Sequence, residues 1–272
     1  PPPPALTSAA YTAAFNQVKE LGAANSATRT ADQTQIANFW SYDRPGTGTP
    51  MVLYNQIIAT IAQQQHNSLV DNARLFALAN LAMADSGICT WDCKYVYNFW
   101  RPITAIQNAA ADGNPDTTAD TGWTPLGIPG TDHFTPPFPA YTSGHSTFGA
   151  ATFRVLADFY KTDSFHFTLT SDELPGITRS YTSFSQAADE NGISRIYMGV
   201  HWTFDNDFGK AAGRTIADYV VQHALQPREA NAHGHGHDDA PTSNPCPPPF
   251  ATQPLTRRIT DDLASADDLI WN

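Results

Sequence analysis

Charge is scarce in this chain. Charged residues make up 15% of the 272 positions, against about 25% in an average globular domain. Basic residues are the scarcer sign, 15 Lys and Arg against 26 Asp and Glu, for a net charge of −11. Such a chain has no broad positive field to draw in nucleic acid or anionic lipid, so an anion it binds must be held by a local cluster of donors. Long apolar runs are also missing. The best stretch, 51–61, is interrupted by Asn55, Gln56 and Thr60, far short of the ~18 residues of a membrane span. Strand-like alternation is nearly absent, with 165–169 (Phe-His-Phe-Thr-Leu) the lone short run. There are only three cysteines, Cys89, Cys93 and Cys246, so they cannot all pair within one chain. A Cys89–Cys93 staple, a link to Cys246 and three reduced thiols remain open, and pairing would imply an oxidising compartment, secreted or periplasmic. Residues 1–4, all proline, have neither the basic nor the apolar region of a secretion signal. Against these absences stand 41% hydrophobic residues and 21 prolines, enough for a sizeable core and for long, pinned loops.

The periodicity is helical. Apolar residues recur at three- and four-residue spacing over 11–21, 57–65, 67–83 and 147–160, helix resumes at Ser143 and near Gln186, and the last periodic stretch runs over 204–225 and ends near Pro227. The expected fold class is all-α, a helical bundle with long Pro/Gly-rich loops. The longest such loop, 108–139, holds ten Gly and Pro residues from Gly113 to Pro139, and a loop of that length inside a compact domain is usually functional. The expected organisation is an N-terminal segment over 1–29, a helical catalytic domain over 30–226 and a tail over 227–272. In that tail, His233, His235 and His237 alternate with glycine ahead of a Pro-rich run, which reads as a solvated linker more readily than as a metal tract. Residues 259–271 carry Leu263, Leu269, Ile270 and Trp271, enough for a short docking helix. No internal repeat is visible.

Three segments carry polar residues where a core-facing helix has no use for them. In 94–102, Lys94 and Arg101 are embedded among Trp91, Tyr95, Tyr97, Phe99 and Trp100. Seven apart on one helix, they would lie on one face about 10.5 Å apart along the axis and converge on an anion. In 138–151, Ser143-Gly144-His145 opens a helix and offers a hydroxyl, an approachable amide and an imidazole where the helix dipole favours negative charge. In 194–205, Arg195 precedes His201 and Asp205, whose four-residue spacing puts them on one helical face, where the carboxylate can fix the imidazole tautomer and leave the other nitrogen as nucleophile or metal ligand. Each segment alone has a bland structural reading. Together, three of the fifteen cations fall in the segments that also hold Ser143, Gly144, His145 and His201, the donor set that a tetrahedral or bipyramidal oxyanion requires.

These spacings, Lys94 with six residues before Arg101-Pro102, then Thr142-Ser143-Gly144-His145, then Ser194-Arg195 with five residues before His201 and three before Asp205, resemble the superfamily that joins vanadium-dependent haloperoxidases to type-2 phosphatidic acid phosphatases and bacterial class A acid phosphatases. The one departure is Thr142 in place of the usual Pro, which removes a fixed φ before the helix. Further likeness over about 30–225, in Phe39-Trp40-Ser41-Tyr42-Asp43, Asn72-Ala73-Arg74, Trp91, Phe99-Trp100-Arg101-Pro102, Pro137-Phe138-Pro139 and Gly199-Val200-His201-Trp202, is with the haloperoxidase branch of chloroperoxidase type. The resemblance implies a bundle of haloperoxidase/acid phosphatase type and a vanadate cofactor, with hydrogen peroxide and halide as substrates and hypohalous acid as product. It implies that His201 ligates vanadium, with Asp205 behind it, while Lys94, Arg101, Ser143, the Gly144 amide and Arg195 neutralise the vanadate oxygens. His145 is then the proton acceptor and Lys94 activates bound peroxide. Asp43 would pair with Arg195, and Trp91 and Phe138 would line the halide pocket. The alternative within the superfamily is a soluble acid phosphatase working through a phosphohistidine at His201. Which halide is oxidised, and whether the chain forms a homo-oligomer, stay open.

Overall fold

The computed structural model describes residues 1–42 and 46–226. The chain divides into two units, Pro1–Pro227 and Arg228–Asn272. Asp43, the His-rich run, Cys246 and residues 259–271 lie outside the described residues.

The element order is α1 (Ala9–Leu21), α2 (Ala31–Phe39), α3 (Pro50–Gln64), α4 (Leu69–Tyr97), α5 (Pro102–Gln107), a 3-10 turn (Ala109–Ala111), α6 (Gly144–Tyr160), β1 (Ser164–Thr170), β2 (Thr178–Ser183), α7 (Phe184–Tyr197) and α8 (Thr203–His223). The helix starts follow capping chemistry. Ser8, Ser68, Ser143 and Ser183 each accept a first-turn backbone N–H, and Thr30 with Gln33 closes a reciprocal capping box. Pro50 and Pro102 open α3 and α5, where a missing N–H costs nothing. The helical expectation holds, and one small two-stranded sheet joins the helices. The alternating run 165–169 is the first strand of an antiparallel hairpin in which Phe167 faces Tyr181 and Leu169 faces Arg179. Its inward residues Phe165, Phe167, Leu169 and Tyr181 are buried. Among the described residues no helix is long and apolar enough to cross a membrane.

Helix α6 is the axis of the body. Its residues from Gly144 to Phe153 are all buried, and α4, α7 and α8 pack around it. One apolar cluster joins α3, α4, α6, α7 and the hairpin through Tyr54, Leu78, Phe153, Phe184 and Phe167. A second joins α1, α5 and the start of α8 through Tyr11, Phe15, Ile106, Trp202 and Phe204.

Close approach of α8 to the first turns of α6 depends on Gly209 and Gly213. A Cβ on Gly213 would overlap the Thr147 carbonyl oxygen, and one on Gly209 would stand 2.9 Å from the Ser143 carbonyl oxygen. Ala gains about 0.5–1 kcal/mol over Gly inside a helix, but forced overpacking costs about 1–3 kcal/mol. Gly213→Ala is therefore expected to destabilise by about 1–2 kcal/mol, read as a lower urea midpoint with an unchanged m-value.

Candidate oxyanion site

The site is assembled from the ends of elements. Helix α4 stops at Tyr97 because Asn98 turns left-handed, φ 43°, and its N–H closes on the Lys94 carbonyl at 2.9 Å. This corrects the expectation that Lys94 and Arg101 share a helical face. Lys94 sits in the last turn of α4, whereas Arg101 arrives from the N-cap of α5. Similarly, His201 precedes α8 instead of lying on it. Asp205, in the first turn of α8, reaches back to the Trp202 N–H at 3.2 Å and to His201 Nδ1 at 2.8 Å. The four-residue spacing thus works through a helix cap. The Asp205 main-chain carbonyl also accepts the Ser143 N–H at 3.1 Å, which joins the starts of α6 and α8.

A cavity of about 250 Å³ opens at this junction, lined by Arg101, Gly144, His145, Arg195 and His201 on one side and by Trp91, Phe138 and Phe148 on the other. The Arg101 Nε donates to the Phe138 carbonyl at 2.7 Å and Nη1 to the Val200 carbonyl at 2.7 Å, with Nη1 also 3.0 Å from His201 Nε2. Arg195 Nη1 donates to the Trp40 carbonyl at 3.0 Å. His145 Nε2 donates to the Ser41 carbonyl at 2.8 Å. Gly144 lets the chain pass within 3.4 Å of the Trp91 ring. Trp91 and Phe138 pack at 5.4 Å between ring centroids, and the Arg101 guanidinium lies 4.9 Å from the Phe138 centroid.

Two expected donors stand behind the wall and not on it. Lys94 is fully buried and donates to the carbonyls of Pro139, Ala140 and Thr142 at 2.9, 2.9 and 2.6 Å. Three protons meeting three acceptors hold the loop ahead of α6 in place, while the charge lies 5.2 Å from the Phe138 ring centroid. Ser143 caps α6, accepting the Ser146 N–H at 3.3 Å and the Ser146 hydroxyl at 2.9 Å. Asp43, the expected partner of Arg195, is outside the described residues.

The electrostatics follow from burial beside cations. Burial first, then Arg101, Lys94 and Arg195, hold the His201 imidazole well below its ordinary value. Burial pushes the Asp205 carboxyl up to about 7, against the pull of Lys94, the Trp202 N–H and Arg101. His201 is therefore a neutral imidazole whose Nδ1–H is held by Asp205 and whose Nε2 lone pair faces Arg101 and the cavity. Two arginines on the wall with Lys94 behind it, a helix N-terminus and the His201 imidazole suit an oxyanion such as vanadate or phosphate. Among the described residues no group of three His, Cys, Asp or Glu side chains could hold a bare metal cation. A larger groove of about 340 Å³ between α6, α7 and α8 has no such set, and its Arg154 is paired with Asp218.

Burial, with Arg195 and then Arg101 adding to it and the Ser41 and Trp40 carbonyls opposing, also depresses His145 well below its ordinary 6.5. Between the two values the unfolded chain binds a proton that the native protein does not, so stability falls as pH drops from about 6.5. His201 is lowered and Asp205 raised, so their contributions oppose each other and His145 sets the sign. The ligand-free protein is expected to melt at lower temperature at pH 5.5 than at pH 7.5, and His145→Gln to flatten that slope.

Sequence reasoning missed the main-chain acceptors, which leave no side-chain signature. It also missed Glu190, which accepts from Trp40 Nε1 at 3.0 Å, Tyr181 at 2.6 Å and Arg179 at 2.7 Å. Glu190 thereby holds Trp40, whose own carbonyl and that of Ser41 carry Arg195 and His145.

Residues 74–230 match the family described as the VCPO second helical-bundle domain. The chain is 36% identical over 244 residues to the vanadium chloroperoxidase of Curvularia inaequalis, an alignment covering 71% of this chain and 39% of that protein. The fold is similar to that of a bacterial vanadium-dependent iodoperoxidase, with a TM-score of 0.67 and 34% identity over 81% of this chain and 52% of that one. It also resembles a bacterial vanadium-dependent chloroperoxidase, with a TM-score of 0.58 and 17% identity over 78% and 47% of the two chains. The chain thus spans about two fifths to a half of the length of these relatives. The match over 74–230 takes in Lys94, Arg101, Ser143, Gly144, His145, Arg195, His201 and Asp205, and the chain belongs to the family of the vanadium chloroperoxidase second helical-bundle domain.

Proposed function

We propose that this chain carries the catalytic centre of a vanadate-dependent haloperoxidase, which oxidises halide with hydrogen peroxide to hypohalous acid. The observation that carries the reading is His201 with Asp205 on one nitrogen and Arg101 on the other, in a cationic cavity with an aromatic wall. Vanadate held by His201, Arg101, Arg195 and the α6 N-terminus would supply a Lewis acid for peroxide. Arg101 and Arg195 neutralise negative charge in a water-poor site where each donor is worth most. His145, kept unprotonated by burial, takes the proton of incoming peroxide. Lys94 acts through its buried charge and through the 139–142 loop. Trp91 and Phe138 exclude water beside the cradle and offer a polarisable surface to halide.

The phosphatase alternative uses the same cradle, so the two are separated by assay. With orthovanadate and peroxide, halogenation of monochlorodimedone is expected with iodide, bromide or chloride, and p-nitrophenyl phosphate without vanadate is expected to stay intact. Phosphate release without halogenation would replace this reading with the phosphatase, and tight oxyanion binding with neither activity would reduce the chain to a binding protein.

A further inference from the structure

Helix α7 reaches the start of α6 with more than Arg195. Four residues earlier, and so about 6 Å back along the same face, Asn191 is fully buried. Its Nδ2 donates to the His145 carbonyl at 2.8 Å. The Tyr54 hydroxyl, from α3, stands 3.0 Å from that carbonyl and 3.2 Å from Asn191 Oδ1, and shares its one proton between them. The carbonyl in the first turn of α6 is thereby held by side chains of two other helices, beyond the single N–H that a helical carbonyl ordinarily accepts. A Cβ on Gly149, one turn further along α6, would come within 2.2 Å of Asn191 Nδ2, so the glycine leaves the amide the room it occupies. Glu190, the residue before Asn191, acts on the other end of the same histidine. It accepts from the Trp40 indole at 3.0 Å, and Ser41, which follows Trp40, accepts from His145 Nε2 at 2.8 Å.

We infer that Asn191 is a positioning residue, which sets the first turn of α6 and the His145 ring against Arg195. The inference deepens the proposed function and rests on it only for what is bound and for what His145 does with a proton. One rigid helix carries both the amide and the guanidinium, so a side-chain hydrogen bond fixes the distance between the α6 N-terminus and Arg195. A directional bond specifies one register, where apolar contact alone specifies it less sharply. An amide also suits the place because it is neutral and adds no charge to a cavity already lined by Arg101 and Arg195.

Calorimetric titration of the full chain with orthovanadate, beside proton NMR of the ring N–H that His145 donates to Ser41, tests the inference. That resonance is assigned by its loss in His145→Gln. Asn191→Leu keeps the side-chain volume and removes the amide. It is expected to raise the orthovanadate dissociation constant at least tenfold and to speed exchange of the ring proton at least tenfold. Gly149→Ala, whose methyl group displaces the same amide, is expected to do likewise, and Tyr54→Phe, which leaves the bond from Asn191 to His145 in place, to give a smaller change in both. A residue needed only for stability would lower the melting temperature and leave both readouts of the folded protein alone. Asn191→Ala, with room for a water molecule, replaces the leucine variant if that does not fold. An unchanged dissociation constant and an unchanged ring proton in folded Asn191→Leu or Asn191→Ala would overturn the inference. Neither readout requires turnover, so a chain that binds orthovanadate without halogenating would strike the proposed reaction and leave the role of Asn191 standing.

Discussion

His201→Ala is expected to remove vanadate-supported halide oxidation by at least three orders of magnitude and to weaken orthovanadate binding by a comparable factor. His201 has Asp205 on Nδ1 at 2.8 Å and presents Nε2 to the Arg101 guanidinium at 3.0 Å, on the cavity wall. Deleting a single preorganised donor already costs about 10²–10³ in rate, and deleting a ligand costs more. Asp205→Asn should lose less, about 10–100-fold in affinity, because it alters the tautomer and orientation of the ligand and not the ligand itself. Stability separates these effects from misfolding. In His201→Ala the Asp205 carboxylate still has the Trp202 N–H, 3.2 Å away in the native chain, so the ligand-free variant should lose only about 1–3 kcal/mol and give a normal near-UV spectrum. Full activity in His201→Ala would remove the imidazole from the reaction.

Lys94→Met tests a different claim, that this lysine holds the loop ahead of α6. A lysine directed at a bound oxyanion could be replaced in the ligand-free protein at little cost, and removing its desolvation penalty would even stabilise. A lysine spent on three buried carbonyls cannot, because Pro139, Ala140 and Thr142 each lose a charge-assisted donor. Leaving a buried acceptor without its donor costs about 1–3 kcal/mol, and three such losses, offset in part by the lysine desolvation that is no longer incurred, come to about 3–5 kcal/mol. The variant should melt roughly 6–20 °C lower in the absence of any ligand, at about 2–4 °C per kcal/mol for a body of this size. Oxidation should be nearly lost as well, since the His145 end of α6 moves with the loop. An unchanged melting temperature would return Lys94 to the direct role that its motif suggests.

The identity of the site was legible in the sequence because its chemistry resides in side chains at fixed spacings: two arginines, Ser143-Gly144-His145, and His201 with Asp205. How those side chains meet was not. Helical periodicity cannot show that Asn98 ends α4, so Lys94 and Arg101 read as one face when a left-handed residue separates their elements. The His201–Asp205 spacing fits a helical face and a helix cap equally well, and Trp202 at the cap decides for the second. Helix α2 leaves little periodic signal because it is short and weakly amphipathic, although Thr30 and Gln33 spell its capping box. The hairpin was half visible: 165–169 alternates, but 178–183 is Thr-Arg-Ser-Tyr-Thr-Ser, polar at its outward positions, with Tyr181 its buried residue. The cationic cavity rests on main-chain carbonyls at Trp40, Ser41, Phe138 and Val200, which any residue could supply.

The account stands on one physical claim, that Arg101, Arg195, the α6 N-terminus and His201 enclose a single oxyanion. A crystal of the protein soaked in orthovanadate, with phosphate excluded, tests it most directly through the anomalous signal of vanadium. The expected result is one strong peak in the cavity between Trp91 and Arg195, within bonding distance of His201 Nε2 and lost in His201→Ala. A peak elsewhere on the molecule, or a cavity that stays free of the anion at saturating vanadate, would contradict it.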